Sequence, residues 1–389
     1  MRNTIIGIII GVVLGVMVGA TVIAPGLQQA RHQPPGKANS GVESLNVGGD
    51  SRATGADLRR PSDADRTGDG PQLRIVSLFP AKMPVLGDMA QRLEHTLTAA
   101  SGGRVNVTLY PPDTLVPAAD TFDAVKSGTV EAAFAAPGQW DEDSLALQLF
   151  TAIPFGPGAN EHLAWFYHGG GRELFEGLFK RHGVHALLCG AIPPEGSGWY
   201  RRPVRAVDDF KGLNVRAFGL SARVLEKLGT NVVNLDVGGI LSAFENGRLD
   251  GAEYSLPSVD AQLGFNRFAR NYYFPGWQQP ITLFALAINA ETWEGLDPSG
   301  RALIESTCGD NVRHTLTRAD ATQFEALKQL GLAGVQVRRW PDTVLAALER
   351  AWDETARELA LKDPDFNAAW SSLHLFRRDY AIWRDLSRP

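Results

Sequence analysis

One arginine and two glutamates stand where predicted strands run out, and their types suit the capture of a small anion together with a cation. Arg216 lies near the end of the strand read from LNVRAF (213–218), after an FKG turn at 210–212. Glu253 and Tyr254 close RLDGAEY (248–254). Glu195 lies in the Pro/Gly-rich turn PPEGSGW (193–199), which follows the apolar strand VHALLCG (184–190). In sheets covered by helices, ligands bind outside the carboxyl ends of the strands. A guanidinium there forks onto a carboxylate, and two glutamates hold a metal cation between themselves and the same guest. Trp199 and Trp277 offer aromatic walls for such a pocket. Taken singly, each charge also reads as a surface group or a structural ion pair, and each tryptophan as ordinary packing.

Other chemistry finds little support. HExxH, the GxxxxGKS/T loop and GxSxG are absent, which leaves zinc proteolysis, P-loop phosphate chemistry and the serine-hydrolase elbow without a signature. Gly169-Gly170-Gly171 follows His168, but no Lys-Ser or Lys-Thr pair comes after it, so the run reads as a helix break. His162 and His168 are six apart and do not share a helix face. Two cysteines, Cys189 and Cys308, exclude a four-cysteine zinc site and a disulfide framework. They either pair outside the cytoplasm, contributing roughly 4–5 kcal/mol through the large loop they close, or remain two buried thiols.

The elements that must position these groups alternate. LRIVSLF (73–79) reads as a strand, MAQRLEHTLTAASGG (89–103) as a helix stopped by its glycine pair, VNVTLY (105–110) as the next strand, and FDAVKSGTVEAAFAA (122–136) as helix then strand. Alternation of this kind implies parallel sheets covered by helices. An internal echo sharpens the picture: AVKSGTVEAA (124–133) matches AFENGRLDGA (243–252) in residue type at nearly every position. Each copy reads as a helix end, a glycine suited to the left-handed position, and a strand with an acid in its middle. Two α/β lobes built alike are the expectation.

The chain has 389 residues, 44% apolar and 21% charged, which is ordinary globular usage and enough for two domains with extras. Its 38 Lys and Arg against 43 Asp and Glu give a net charge of -5, which argues against a nucleic-acid surface. From Ile5 to Ala24 the sequence carries no charge over about 20 residues, about 30 Å of helix, enough to cross a bilayer. Arg2 and the amino terminus precede it, so the start of the chain stays cytoplasmic and the body is exported. Val18-Gly19-Ala20 has the small-residue look of a cleavage site, yet the apolar run continues to Pro25, and an uncleaved anchor is the favoured reading. Residues 28–71 are rich in Gly, Pro, Ser, Asp and Arg without apolar period, and read as a disordered linker of roughly 35–40 Å mean reach.

From about Leu73 to Trp383 the chain resembles the substrate-binding proteins of tripartite ATP-independent periplasmic (TRAP) transporters, the DctP type. It is most similar to the branch that binds 2-oxo and hydroxy monocarboxylates such as pyruvate. The resemblance rests on SLFPAKMPVLG (77–87), FDAVKSGTVEAAF (122–134), AIPFG (152–156), AWFYHGGG (164–171), GWYRRPV (198–204), DFKGLNVRAFG (209–219), ENGRLDGAEY (245–254) and YYFPGW (272–277). It implies a two-lobed α/β periplasmic binding protein fold with a lobe-spanning helix, here preceded by the N-terminal transmembrane helix.

The domains expected are a signal anchor (1–27), the linker (28–71), one lobe from 72–185 with 282–320, a second from 186–281 with 321–370, and a C-terminal helical segment (371–389). The resemblance also implies that Arg216 pairs with the ligand carboxylate and that Glu253 and the backbone carbonyl of Tyr254 hold a cation. Tyr254 stands where that branch usually has Trp. Glu195 replaces a glutamine, and the added charge favours calcium over sodium. A Tyr-Tyr-Trp run becomes Gly138-Gln139-Trp140 and an Asn becomes Ala191, which removes two phenols from the expected pocket.

The function implied is a periplasmic solute receptor, anchored to the inner membrane, that hands a small carboxylate to TRAP membrane subunits. It needs no organic cofactor and no catalytic residue. A metal-dependent enzyme acting on a 2-oxo acid is the alternative.

Overall fold

In the computed structural model, which describes residues 71–102 and 104–387, the chain builds two mixed sheets. The first contains β1 (Gln72–Ser77), β2 (Asn106–Tyr110), β3 (Ala132–Ala135), β4 (Val184–Ile192) and β10 (Thr282–Asn289), in the order β2-β1-β3-β10-β4. The second contains β5 (Trp199–Tyr200), β6 (Asn214–Arg216), β7 (Asn231–Val233), β8 (Gly251–Ala252), β9 (Asn271–Phe274) and β11 (Gln336–Arg339), in the order β11-β9-β5-β8-β6-β7. Helices α1 (Leu86–Ser101), α2 (Thr121–Lys126), α3 (Ala159–His168) and α4 (Gly171–Lys180) accompany the first sheet. Helices α5 (Leu220–Lys227), α6 (Val237–Glu245) and α7 (Pro257–Leu263) accompany the second. The chain finishes with α8 (Ala290–Gly295), α9 (Pro298–Leu332), α10 (Asp342–Lys362) and α11 (Pro364–Ser387).

Each element follows from its pattern. Leu86, Met89, Ala90, Leu93 and Leu97 recur at helical spacing and form the buried face of α1, which ends where Gly102 turns left-handed at φ 58°. β10 reads TLFALAIN and is buried along its whole length, as a central strand covered on both faces must be. Truncating a residue such as Ile288 there to alanine costs about 2–5 kcal/mol.

The sheets are not wholly parallel, contrary to expectation. β1 runs parallel to β2 and β3, and β6 parallel to β7 and β8, but β10 is antiparallel to β3 and β4, and β5 to β8 and β9. The reason is a ribbon shared by both lobes. The chain leaves the first sheet along β4, enters the second as β5, and returns from β9 to β10. The two passes stay paired across the gap through Glu195 N to the Gln279 carbonyl (3.2 Å), Ser197 N to the Tyr273 carbonyl (2.8 Å) and Tyr273 N to the Gly198 carbonyl (3.1 Å).

The internal echo is a true structural repeat. Gly128 and Gly247 both take left-handed φ, 73° and 69°. Behind them Val130 N and Leu249 N reach back to the carbonyls of Ala124 and Ala243, each at 3.2 Å. The echoed acids stand before their strands, not in the middle. Glu131 accepts from Arg74 N (3.0 Å) and Asp250 from Asn214 N (2.9 Å), so each carboxylate satisfies a backbone donor of the neighbouring parallel strand. That role shortens β8 to two residues where seven were expected.

α9, 35 residues and so about 52 Å long, spans the lobes as expected. On the first lobe Cys308 forms a disulfide with Cys189 of β4, Asn311 Nδ2 donates to the Cys189 carbonyl (2.8 Å), and Thr315 Oγ1 donates to the Ala191 carbonyl (2.9 Å). On the second, Gln323 Oε1 accepts from Ser258 N (3.0 Å).

The expected lobe boundaries shift. A change of lobe at residue 186 cuts β4, which pairs with β10 from Val184 to Ile192. The C-terminal helix starts at Pro364, not 371, and returns to the first lobe, where Ser372 Oγ accepts from Trp165 Nε1 (3.1 Å) and Arg377 pairs with Glu161 (3.1 Å). The expected transmembrane segment and linker lie outside the described residues; among the described residues no helix is long and apolar enough to cross a membrane.

Candidate functional site

Arg216 and Glu253 meet because β6 and β8 run side by side: Glu253 N donates to the Arg216 carbonyl at 3.0 Å, which puts both side chains at the same sheet end. The guanidinium Nη1 donates to the Glu253 carbonyl (2.7 Å) and to Glu253 Oε1 (3.1 Å), and Nε to the Leu235 carbonyl (3.2 Å). Nη2 donates to no protein acceptor among the described residues. Tyr254 lies beneath the guanidinium, 5.4 Å from ring centre to Cζ, and its hydroxyl reaches Met83 Sδ of the first lobe at 3.7 Å. Burial pushes that phenol up.

Glu195 comes from the crossing ribbon. Its carbonyl lies so close to Gly276 that a Cβ there would stand 2.0 Å away, which is why the returning pass carries glycine at that point. Oε1 of Glu195 accepts from Thr282 Oγ1 (2.9 Å) and Gln279 Nε2 (3.2 Å). Oε1 of Glu253 accepts from Arg216 and from Phe218 N (2.7 Å). The second oxygen of each carboxylate, Glu195 Oε2 and Glu253 Oε2, is buried and without a partner among the described residues. Burial lifts the pKa of Glu195 well above the usual carboxylate range, and the nearby Glu253 charge lifts it further. Burial also raises Glu253, against the opposing pull of Arg216 and of the Phe218 N–H.

A cavity of about 110 Å³ opens among these groups, room for a small guest. Arg216, Glu195, Tyr254, Ser255, Gln279 and Thr282 supply its polar side, and Phe79, Leu86, Ile192, Phe218 and Phe284 its apolar side. Glu253 lies behind Arg216 and does not line it. A larger recess, about 160 Å³ between α1, α7 and α9, contains neither Arg216 nor an unpartnered buried carboxylate oxygen.

Neither tryptophan expected as a pocket wall lines the cavity. Trp199 is fully buried in the second lobe, stacked on Tyr272 at 4.0 Å, with Nε1 donating to Asp260 Oδ2 at 2.8 Å. Trp277 stacks on Phe155 at 5.5 Å in the core. Gln279 and Thr282, which anchor Glu195, were not anticipated. The only signal for them is polarity at the entry to an otherwise apolar strand. Asp260 was missed as well: it accepts from Trp199, Tyr272 (3.0 Å) and Ser255 N (3.2 Å), and burial raises it to about 7.

Unpartnered buried carboxylate oxygens are costly unless a cation completes them. Among the described residues no three His, Cys, Asp or Glu side chains converge, so an ion held here would draw its other oxygen ligands from carbonyls, hydroxyls or the guest. The Tyr254 carbonyl accepts no hydrogen bond among the described residues and is available for such a role.

Two lobes joined by a crossing ribbon, with a polar cavity between them, define a solute-capturing protein. The chain belongs to the DctP family, bacterial extracellular solute-binding protein family 7, whose pattern matches residues 76–363. It is 29% identical over 294 residues to a monocarboxylate 2-oxoacid-binding periplasmic protein of Nostoc sp., covering 76% of this chain and 81% of the other.

Among solved structures it is similar to a TRAP transporter solute-binding protein of Bordetella bronchiseptica with calcium and picolinate. That protein is 32% identical, with TM-score 0.78, covering 82% of this chain and 94% of that one. It is also similar to proteins of Pseudoalteromonas atlantica with sodium and pyruvate and of Colwellia psychrerythraea with calcium and pyruvate. These are 27% and 28% identical, each with TM-score 0.78 and covering 82% of this chain and 97% of theirs. The chain is an extracytoplasmic solute receptor of the TRAP type.

Proposed function

We propose that the receptor binds a small 2-oxo or hydroxy monocarboxylate together with a calcium ion and delivers the acid to TRAP membrane subunits. The observation that carries this is an arginine whose Nη2 has no protein acceptor among the described residues, set on a small cavity with the orphaned, buried oxygen of Glu195 on its wall and that of Glu253 behind it. Arg216 takes the guest carboxylate, while Glu195, Glu253 and the Tyr254 carbonyl hold the cation. Two anionic ligands favour a divalent ion over sodium. The apolar side of the cavity accepts a short carbon chain and leaves a second carboxylate without a partner, so dicarboxylates are disfavoured.

Calorimetry of pyruvate and related 2-oxo and hydroxy acids, with calcium, with sodium and after chelation, tests the reading. Tight binding that is lost on chelation is the expected result. Cation-independent binding, or conversion of the acid seen by NMR, would overturn it.

The uncharged run from Ile5 to Ala24 is proposed to tether the receptor to the inner membrane. Fractionation of cells producing the full chain should place it with the membrane, and a chain beginning after residue 27 behind an exported leader should be released. Recovery of a full-length body in the soluble periplasm refutes the anchor.

A further inference from the structure

We infer that Gly219 of the second lobe and Gln148 of the first form the closing contact of the cleft, the pair that fixes how far the lobes approach and so how long the solute is held. The inference rests on the solute-receptor reading of the site. Gly219 follows directly on Phe218, whose N–H binds Glu253 and whose ring lines the cavity, and it precedes α5 with φ 66°. A Cβ built on Gly219 would stand 2.4 Å from Gln148 Oε1. Gln148 belongs to the turn of residues 145–150 after β3, and its side chain is buried.

The amide does not move aside freely. Nε2 donates to the Gly138 carbonyl (3.0 Å) and to Asp141 Oδ2 (2.8 Å), which aims Oε1 across the seam. Rotating it away forfeits both acceptors or turns a donor where the acceptor stood. Gly138 closes the other side: a Cβ there would meet the same Oε1 at 2.7 Å. One clamped carboxamide oxygen therefore sits between two glycines, one from each lobe. Its neighbours Gln139 and Thr151 line the cavity, so displacement at this seam is displacement at the site.

Gly219→Ala, studied by calorimetry and stopped-flow with pyruvate and calcium, is expected to weaken binding about tenfold or more, through faster dissociation. In a Gly219→Ala/Gln148→Ala double variant the obstructing oxygen is gone, and affinity returns to that of Gln148→Ala alone, a non-additivity that independent sites do not show. A methyl group on the left-handed backbone of position 219 is strained whatever stands opposite, and this lowers the melting temperature in both chains. Recovery of affinity without recovery of stability therefore separates the closing contact from a merely structural role. Unchanged affinity in Gly219→Ala, or additive losses in the double variant, overturns the inference.

Wild-type binding tests the solute assignment, whereas ratios between variants test the seam. Should the wild type bind none of the acids, small-angle X-ray scattering on the calcium-loaded chains decides the seam alone. A larger radius of gyration in Gly219→Ala that the double variant reverses supports it, and equal radii overturn it.

Discussion

Arg216→Ala removes three hydrogen bonds at once: two from Nη1 to the Glu253 carbonyl and carboxylate, at 2.7 and 3.1 Å, and one from Nε to the Leu235 carbonyl at 3.2 Å. Both ionic partners are buried, with side-chain exposures of 10% and 5%, so solvent does little to screen the loss. Breaking a buried pair from one side costs about 3–5 kcal/mol in stability. The stranded Glu253 keeps only the Phe218 N–H, and its pKa rises further, so protons compete harder with the cation. For the solute, losing the partner of a buried carboxylate costs about 2–5 kcal/mol, or roughly thirty- to several-thousand-fold in Kd.

Arg216→Lys keeps a point charge but cannot hold Leu235 and Glu253 while offering a second nitrogen to a guest. About a tenfold loss is expected there, with better retained stability. Circular dichroism melts establish that each variant is folded, and calorimetry with pyruvate at saturating calcium reads the affinity. A folded Arg216→Ala chain with wild-type affinity refutes the anchoring role.

The remaining expectations concern the cation, the disulfide and the misplaced aromatics. Because the pKa values of Glu195 and Glu253 are raised by burial, the metal-free fold holds those protons more tightly than the unfolded chain does. The two groups therefore favour the fold below the usual carboxylate range, and their contribution is lost as pH rises through the raised folded values. Calcium requires the ionised pair, so the rise in melting temperature on adding calcium should be larger at pH 8 than at pH 5; a shift independent of pH contradicts the assignment of both ligands. Glu195→Gln should weaken calcium binding and narrow its preference over sodium, read by competition calorimetry. Cys189→Ser opens a loop closed across a separation of 119 positions and should cost about 5 kcal/mol, seen as a lower denaturation midpoint that reductant reproduces in the wild type. Trp199→Phe leaves Asp260 short of a donor and should cost about 1–3 kcal/mol of stability while changing pyruvate affinity far less than Arg216→Ala; selective loss of binding in a chain of normal stability argues against its core role.

The charged half of the site was legible because its chemistry is local. An arginine near the end of a predicted strand and an acid at the end of its neighbour meet wherever the two strands lie side by side. The echo between 124–133 and 243–252 was legible for the same reason, since glycine and acid keep fixed offsets. The aromatic half was not. Trp199 and Trp277 have the residue type of a pocket wall, but only the ribbon's path decides that one faces Asp260 and the other Phe155. Gln279 and Thr282 were hidden because their partner Glu195 lies more than eighty positions away, brought near by pairing that no local period encodes. The short β8 likewise reflects a tertiary demand: Asp250 answers a neighbour's N–H and Glu253 turns to Arg216, which ends a ladder that the alternation alone would have extended.

The attachment of α9 is unequal at its two ends. Its first half is bound to β4 by a covalent bridge, Asn311 and Thr315, whereas its second half meets the other lobe through contacts such as Gln323 with Ser258. The far end is also held, since Leu330 is buried in the core of the second lobe and the chain passes directly into β11, so any opening of the cleft must flex the helix or its seat. Reduction of the bridge would loosen the bearing rather than the jaw, and would reach the rate of opening before it reached the chemistry of capture.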